Sequence, residues 1–445
     1  MRTSRHRHGF TLVEMLISLA VTSIVLVGVI AAANAQQRAY YGGQKVRAAQ
    51  NTARAALLYL EQKLPLAGFG MDPALALDLG DLGTWYTSGP CPSTPCKRDS
   101  TSTSDELVFY ARNPAYWVHP TDSSRAPAGN AWRFTEITGT SVKILARAND
   151  VFRKGQILQA VCPGDGRYAY FTVKTRTPAT GTVTTDGAVD VQLENAITTN
   201  PSSPFLRQDV ATSASMGDKC FKPTTEADAV GRLFRIDRYR FHVRPVSQGG
   251  DTYDPYLVLD QGVDWNDDGV VDAKDEILVA DGIEILQVGY VFADATNQTA
   301  GTTAGTQINW VTANDDQSSA AANDVPNTIV RTKFPGTTPP PSGQTVYGPS
   351  SFYRYRYDDP IRRSPHQANI RAIRIGLSAR SPTPDTDAHA TYRIATGFTL
   401  FNLDTPPTWI KAFADARGGD DRFQRIRLDS TVNLPNMLVR SIIDF

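Results

Sequence analysis

The sequence predicts an α+β fold in which one very long N-terminal helix packs on a mainly antiparallel, β-rich head. Three observations lead there. Helical periodicity, first apolar and then amphipathic, runs from residue 10 to about 64. Beyond Pro65 the texture changes to short runs of aromatic and β-branched residues, one of them strictly alternating. The connections between these runs lack the regular helices that parallel crossovers need.

The helix divides into two halves. Residues 10–35 form the hydrophobic half; from Met15 to Ala33 there are nineteen residues without charge or proline. That length crosses a hydrocarbon layer of ~30 Å. Residues 36–64 form the amphipathic half. Val46, Ala49, Ala53, Ala56, Leu57, Leu60 and Leu64 recur at three- and four-residue steps, with Lys45, Arg47, Arg54, Glu61 and Lys63 mostly elsewhere. Gly42-Gly43 lies between the halves and predicts a kink or local melting, since two glycines destabilise a helix by roughly 1–2 kcal/mol. Pro65 ends the helix. At about 1.5 Å per residue the rod is roughly 80 Å long, which a globular domain rarely uses.

The head spans residues 65–445. Strands are expected at 106–112, 156–162, 168–174, 189–193, 233–243, 256–259 and 283–292. From Ile373 to Arg380 apolar and polar residues alternate, which predicts a half-buried strand, with residues 392–401 as its partner. Residues 294–350 are rich in Thr, Ala, Asn, Gly, Ser and Pro and predict an exposed insertion. It is either a partner-contact loop or a tolerated insertion.

The start of the chain is MRTSRHRHGFTLVEM. A basic stretch before an apolar run is the pattern of a secretory signal peptide, and Ala33-Asn34-Ala35 fits a cleavage site before Gln36. An uncleaved membrane anchor fits the length equally well. Glu14 decides between them. An acid at the front of a membrane helix costs on the order of a few kcal/mol, so it needs a partner. Cleavage after Gly9 would supply one, the new amine of Phe10 one helical turn away, and would keep the apolar segment on the mature chain.

Gly9-Phe10-Thr11-Leu12-Val13-Glu14 resembles the type III signal of type IV prepilins and type II secretion pseudopilins. The resemblance implies a leader of residues 1–9, cut after Gly9 by a prepilin peptidase, methylation of Phe10, and a role for Glu14 in assembly. It also implies one helix half in the bilayer or filament core and the other beneath the head. Arg54-Ala55-Ala56-Leu57-Leu58, Ala67-Gly68-Phe69 and Val432-Asn433-Leu434-Pro435-Asn436 are similar to PilW-type minor pilins, which relate to the minor pseudopilin J of type II secretion. The partners implied are other major and minor pilins and an inner-membrane assembly platform. The location implied is the inner membrane with the head in the periplasm, then the pilus or pseudopilus at the cell surface. Residues 75–350 are not covered by this resemblance.

The chain has 45 basic and 45 acidic residues. Loss of Arg2, Arg5 and Arg7 with the leader leaves a slight acidic excess, so bulk attraction to nucleic acid is not indicated. The four cysteines, Cys91, Cys96, Cys162 and Cys220, are an even count in an exported chain, which favours disulfides. Three pairings exist. The compact Cys91–Cys96 loop is the expected one, leaving Cys162–Cys220.

Residues 264–275 read DWNDDGVVDAKD. Asp264, Asn266, Asp268, Asp272 and Asp275 supply oxygen-bearing side chains, Val270 a backbone carbonyl, and Gly269 a sharp turn. The first six positions match the calcium loop D-x-[DN]-x-[DN]-G, and hard cations take six to eight oxygens. The twelfth position is Asp275, where helix–loop–helix sites have Glu, and the flanks predict strands. The expectation is therefore a calcium loop without the EF-hand fold; the alternative is a solvated acidic turn.

No catalytic motif emerges. His119, His242, His366 and His389 are scattered, and neither a phosphate loop nor a G-x-S-x-G elbow is present. Arg235, Arg238, Arg240 and Arg244 predict a strand with a solvated basic face, or else a polyanion site. The sequence points to a non-enzymatic filament protein: a minor pilin, a minor pseudopilin, or an adhesin with a surface ligand on a pilin-like anchor.

Overall fold

The computed structural model describes residues 11–71, 76–77, 104–112, 131–137, 140–146, 150–161, 168–182, 187–194, 231–249, 252–292, 310–312, 346–347, 352–353, 370–383 and 423–438. Helix α1 runs Leu12–Lys63, and a 3-10 turn, Leu64–Leu66, carries Pro65 as its stop. The melting expected at Gly42-Gly43 does not occur; helix continues through both. The Gln424 amide of the head lies 3.9 Å from where a Cβ on Gly42 would stand, whereas nothing comes within 4 Å of that position on Gly43.

Burial along α1 follows the two halves of the sequence. None of its most apolar window is buried. In the second half Ala49, Ala53, Ala56 and Leu60 are buried at steps of four, three and four, and Leu64 continues the stripe. Small side chains let the helix approach the sheets closely. It packs on β15 (Arg425–Asn433), β14 (Ile370–Arg380) and β9 (Ile277–Asp281).

All pairings among the described strands are antiparallel. One sheet has the order β11–β10–β14–β15, with β10 at Ile283–Phe292 and β11 at Trp310–Thr312. Both edges of β14 are therefore occupied, by β10 and β15. Residues 392–401, the partner expected from sequence, lie outside the described residues. Within 294–350 the described residues are β11 and β12 (Val346–Tyr347), which pairs with β13 (Phe352–Tyr353).

The second sheet is organised by β7 (Arg232–Gly249), long enough to serve two bodies. Its middle, from Ile236 to Phe241, pairs with β1 (Leu107–Arg112) and its C-terminal half, from Arg240 to Gly249, pairs with β8 (Thr252–Asp260), and β8 carries β9. Its N-terminal half pairs with β2 (Ala131–Ile137) and β4 (Ile157–Val161). β2 continues into β3 (Ser141–Ala146) and β6 (Gly187–Gln192), and β4 into β5 (Tyr168–Thr172).

The free ends of this second body meet. Val173 bridges Leu193, the Lys174 N–H donates to the Gln192 carbonyl at 2.9 Å, and the Glu194 N–H to the Thr172 carbonyl at 2.8 Å. The order β5–β4–β7–β2–β3–β6 thus closes on itself as a six-stranded barrel. Closure removes sheet edges. Its interior holds Trp132, Phe134, Val142, Ile144, Leu158, Ala160, Phe171, Val191 and Leu233. Trp132 and Phe152 contact at 5.0 Å between ring centroids.

The other face of the shared strands belongs to the larger core beneath α1. Strand alternation sends Leu233 into the barrel but Phe234 and Ile236 into that core. There Phe109 stacks on Tyr239 at 4.8 Å. Burial, then the nearby Asp237 carboxylate, raises the Tyr239 hydroxyl well above its ordinary range.

Candidate functional sites: the N-terminal helix and an acidic hairpin loop

The start of α1 is a reciprocal cap. Thr11 is the N-cap; its hydroxyl oxygen accepts the Glu14 N–H at 3.3 Å. The Glu14 carboxylate accepts the Thr11 N–H and the Thr11 hydroxyl, both at 3.0 Å. Such a box satisfies helix N–H groups that otherwise lack partners. Thr11 as a capping partner was not foreseen from sequence, although the Thr-x-x-Glu spacing signals it. Gly9 and Phe10 lie outside the described residues. Beyond the cap, Leu12, Met15, Leu16, Leu19, Ile24 and Val27 all stand exposed.

The acidic segment is the connection between β8 and β9, so the strand flanks expected from sequence are present. Asp264, only 1% exposed, folds the loop over itself. Its Oδ1 accepts the Asp268 N–H at 3.1 Å and its Oδ2 the Gly269 N–H at 2.7 Å. Asp275 does the same from the far end, accepting from the N–H groups of Trp265, Asn266 and Asp272 at 2.7, 3.2 and 3.0 Å. Asn266 Oδ1 accepts the Asp268 N–H at 2.8 Å, and Asp268 Oδ1 the Val270 N–H at 2.9 Å. That last bond is the main cause holding the Asp268 carboxyl below its ordinary range. Asp267 at φ 61 and Gly269 at φ 87 make the turn.

Lys274 reaches back across the loop, 3.5 Å from carboxylate oxygens of both Asp268 and Asp272. These neighbours, Asp272 first, raise its ammonium above the ordinary range. Among the described residues no three acidic, His or Cys side chains converge as a metal cage. The donor set still suits calcium chemically, being all oxygen, with side-chain oxygens at the alternating positions Asp264, Asn266 and Asp268 and an exposed segment at Val270.

The loop is seated on the barrel. The Asp264 N–H donates to the Lys154 carbonyl at 3.0 Å, and Lys154 Nζ donates to the Gly269 carbonyl at 2.7 Å. Asp267 pairs with Arg176 at 2.9 Å and Arg153 at 3.2 Å. Two guanidiniums approach the Trp265 ring, Arg153 at 5.4 Å and Arg235 at 5.3 Å from its centroid. Sequence reasoning missed Arg153, Lys154, Arg176 and Asp267, because their roles depend on three connections distant in the chain.

The arginines of β7 form neither a solvated basic face nor a polyanion stripe. Arg235 pairs with Asp237 at 2.8 Å, Arg238 with Asp260 at 3.6 Å, and Arg240 with Asp260 at 3.1 Å and with Glu106. Arg244 pairs with Glu276. Asp237 on β7 itself, Glu106 just before β1, Asp260 on β8 and Glu276 in the hairpin loop neutralise them, and the last three are distant along the chain. His242 Nε2 sits 3.5 Å from Glu276, whereas His119, His366 and His389 lie outside the described residues. Cys91, Cys96, Cys162 and Cys220 also lie outside them.

The family model of the prokaryotic N-terminal methylation motif matches residues 4–30. The match covers the basic start, the capping box and the first turns of α1, and supports a type IV prepilin-like protein of the pilin or pseudopilin kind. With the apolar helix it supports membrane anchoring and association with prepilin peptidase and pilins. Comparison with curated proteins and with solved structures found no match.

Proposed function

We propose that the chain is a minor pilin that helps initiate, prime or cap assembly of a type IV pilus serving motility, adhesion or DNA uptake. The observation that carries this reading is the methylation motif at residues 4–30 leading into a 52-residue helix whose apolar half is bare. An apolar surface of that length needs either lipid or other helices around it. The large head, with a barrel added to the body beneath α1, suits one copy at a tip better than a repeated shaft subunit. A PilW-type role fits that placement. The sequence offers no catalytic constellation, so the proposed role is non-enzymatic.

Mass spectrometry of sheared, purified surface filaments tests the reading. The expected result is this chain at low copy number with a methylated Phe10 as its first residue. Recovery only with a cell-envelope secretion complex would instead assign a minor pseudopilin of type II secretion. A filament that assembles normally without the chain but loses attachment would make it an adhesin.

We further propose that Asp264, Asn266, Asp268, Asp272 and Asp275, with the Val270 carbonyl, take one calcium ion. Binding there would replace Lys274 as the counter-charge of Asp268 and Asp272, and its effect would be structural. Disulfides Cys91–Cys96 and Cys162–Cys220 remain the proposed pairing, which non-reducing peptide mapping checks.

A further inference from the structure

We propose that Arg38, Tyr40 and Tyr41 form a girdle seated in the headgroup layer of an anionic bilayer, with Lys45 and Arg47 just above it and the head held directly against the membrane surface. The inference rests on the membrane-anchoring reading of α1 and adds what the anchor meets at its outer end. Tyr40 and Tyr41 are 63% and 60% exposed, unusual for two adjacent aromatic residues, and their rings meet edge-on at 6.0 Å. A tyrosine has an apolar body and a polar tip, which suits the boundary between hydrocarbon and water.

Their height on the helix agrees. From Leu12 to Tyr40 an α-helix rises roughly 42 Å at about 1.5 Å per residue. A bilayer with its headgroups is about 40–45 Å thick. With the capped first turn at one face, the two rings fall at the other, and Lys45 and Arg47, roughly 50 and 53 Å from Leu12, stand just above the headgroups. Charge agrees as well. Between Glu14 and Glu61 there is no acid, whereas Arg38, Lys45, Arg47 and Arg54 follow the apolar run. Basic side chains just outside a span attract anionic headgroups.

The head starts at once beyond the girdle. Gly42 already faces Gln424, and Lys45 and Val46 are half-buried. The helix is unbroken between them, so no slack separates the rings from the head. The girdle therefore fixes the height of the head above the bilayer.

The test uses the full chain in vesicles of phosphatidylcholine and phosphatidylglycerol, with 4-trifluoromethylphenylalanine replacing Tyr40 or Tyr41. Fluorine relaxation is measured with a headgroup spin label, a chain-end spin label and a soluble gadolinium chelate. The headgroup label is expected to act at least about twofold more strongly than the chain-end label. Labelled phosphatidylglycerol is expected to exceed labelled phosphatidylcholine by about twofold, an excess lost in Arg38→Gln Lys45→Gln Arg47→Gln. Relaxation by the chelate alone, by the chain-end label most strongly, or only at protein densities where helices contact one another would overturn the girdle. Co-flotation with the vesicles separates the two readings: a chain that floats but gives these results lacks the girdle, whereas a chain that does not float lacks the anchor itself.

Discussion

The carbonyl oxygen of Gly262 occupies the place where a side-chain carbon on Gly155 would have to go. This contact joins the hairpin loop of the larger body to the barrel, backbone against backbone. Gly155 also has φ +82, a conformation that other residues adopt only with strain. Gly155→Ala is therefore expected to destabilise the protein by about 2–4 kcal/mol. Urea denaturation of the detergent-solubilised chain reads this directly. An unchanged midpoint would mean that the loop and barrel separate freely.

Asp267 holds the same junction through charge. Its carboxylate is shared by Arg153 and Arg176, and all three side chains are largely shielded from water. Removing one partner of such a group leaves uncompensated charge and costs about 1–3 kcal/mol. Asp267→Asn keeps a residue suited to φ 61 but loses the pairing. The expected effect is local. Amide exchange should accelerate at Gly155 and Val173, whose N–H groups donate to the Val173 and Gln156 carbonyls at 2.9 Å. Protection unchanged at both positions would remove Asp267 from the latch.

The parts legible in the sequence are those encoded by local spacing. The stripe Ala49, Ala53, Ala56, Leu60 and Leu64 lies four or three residues apart, and it is the buried face. Leu107–Arg112 and Ile283–Phe292 are strands because apolar runs of that length suit a sheet buried on both faces. The barrel was not legible. Ala131–Ile137 and Ser141–Ala146 are ordinary in composition, and closure depends on Val173 meeting Leu193. The arginines of β7 misled for the same reason, since Arg238 and Arg240 find Asp260 only once β8 folds back along β7. In the acidic loop the turn was legible from Gly269, but not its seat on Lys154.

Acid is expected to loosen this pairing. Burial alone pushes the Asp260 carboxyl up, but Arg238, Arg240 and the Gly262 N–H outweigh it and leave it below its ordinary value of 3.8. A folded-state pKa below the unfolded one contributes stability that is present above pH 3.8 and lost as pH falls through the folded value. Stability should thus decline more steeply below about pH 4 in the parent than in Asp260→Asn, which itself should lose about 3 kcal/mol near neutrality. Denaturation midpoints from neutral pH down to about pH 2.5 provide the comparison. Parallel curves for the two proteins would show that Asp260 does not govern the acid limb.

Glu14 combines two roles that one substitution separates. Its carboxylate closes the cap with Thr11, and its charge is the proposed counterpart of the Phe10 amine after cleavage. Glu14→Gln retains a side chain able to close a capping box but removes the charge. Glu14→Ala removes both and should lower helix stability by about 1 kcal/mol. If assembly depends on charge, immunoblots of sheared filaments will show both variants depleted while processing continues. Normal incorporation of Glu14→Gln alone would assign the effect to the cap.

Lys274 makes the calcium proposal sharper than simple chelation. Its ammonium lies 3.5 Å from oxygens of both Asp268 and Asp272, where it offsets the repulsion between them. A cation taking these oxygens must displace it. Lys274→Gln should therefore leave the loop short of positive charge without metal and tighten calcium binding. The expected pattern is a parent whose melting temperature rises with millimolar calcium and a Lys274→Gln protein that responds at lower concentration. Binding at a hundredfold excess over Kd contributes about 2.7 kcal/mol. Magnesium should substitute poorly, because it demands a tighter octahedron and gives up water reluctantly. Asp264→Ala Asp268→Ala removes the response in this account. Asp264 is also a fold element, since its carboxylate accepts the N–H groups of Asp268 and Gly269 in the turn. Asp272→Asn is accordingly the cleaner control: it leaves both of those bonds in place and removes one proposed ligand charge. A melting temperature indifferent to calcium in the parent and in Lys274→Gln alike would make the segment an acidic turn held by Lys274.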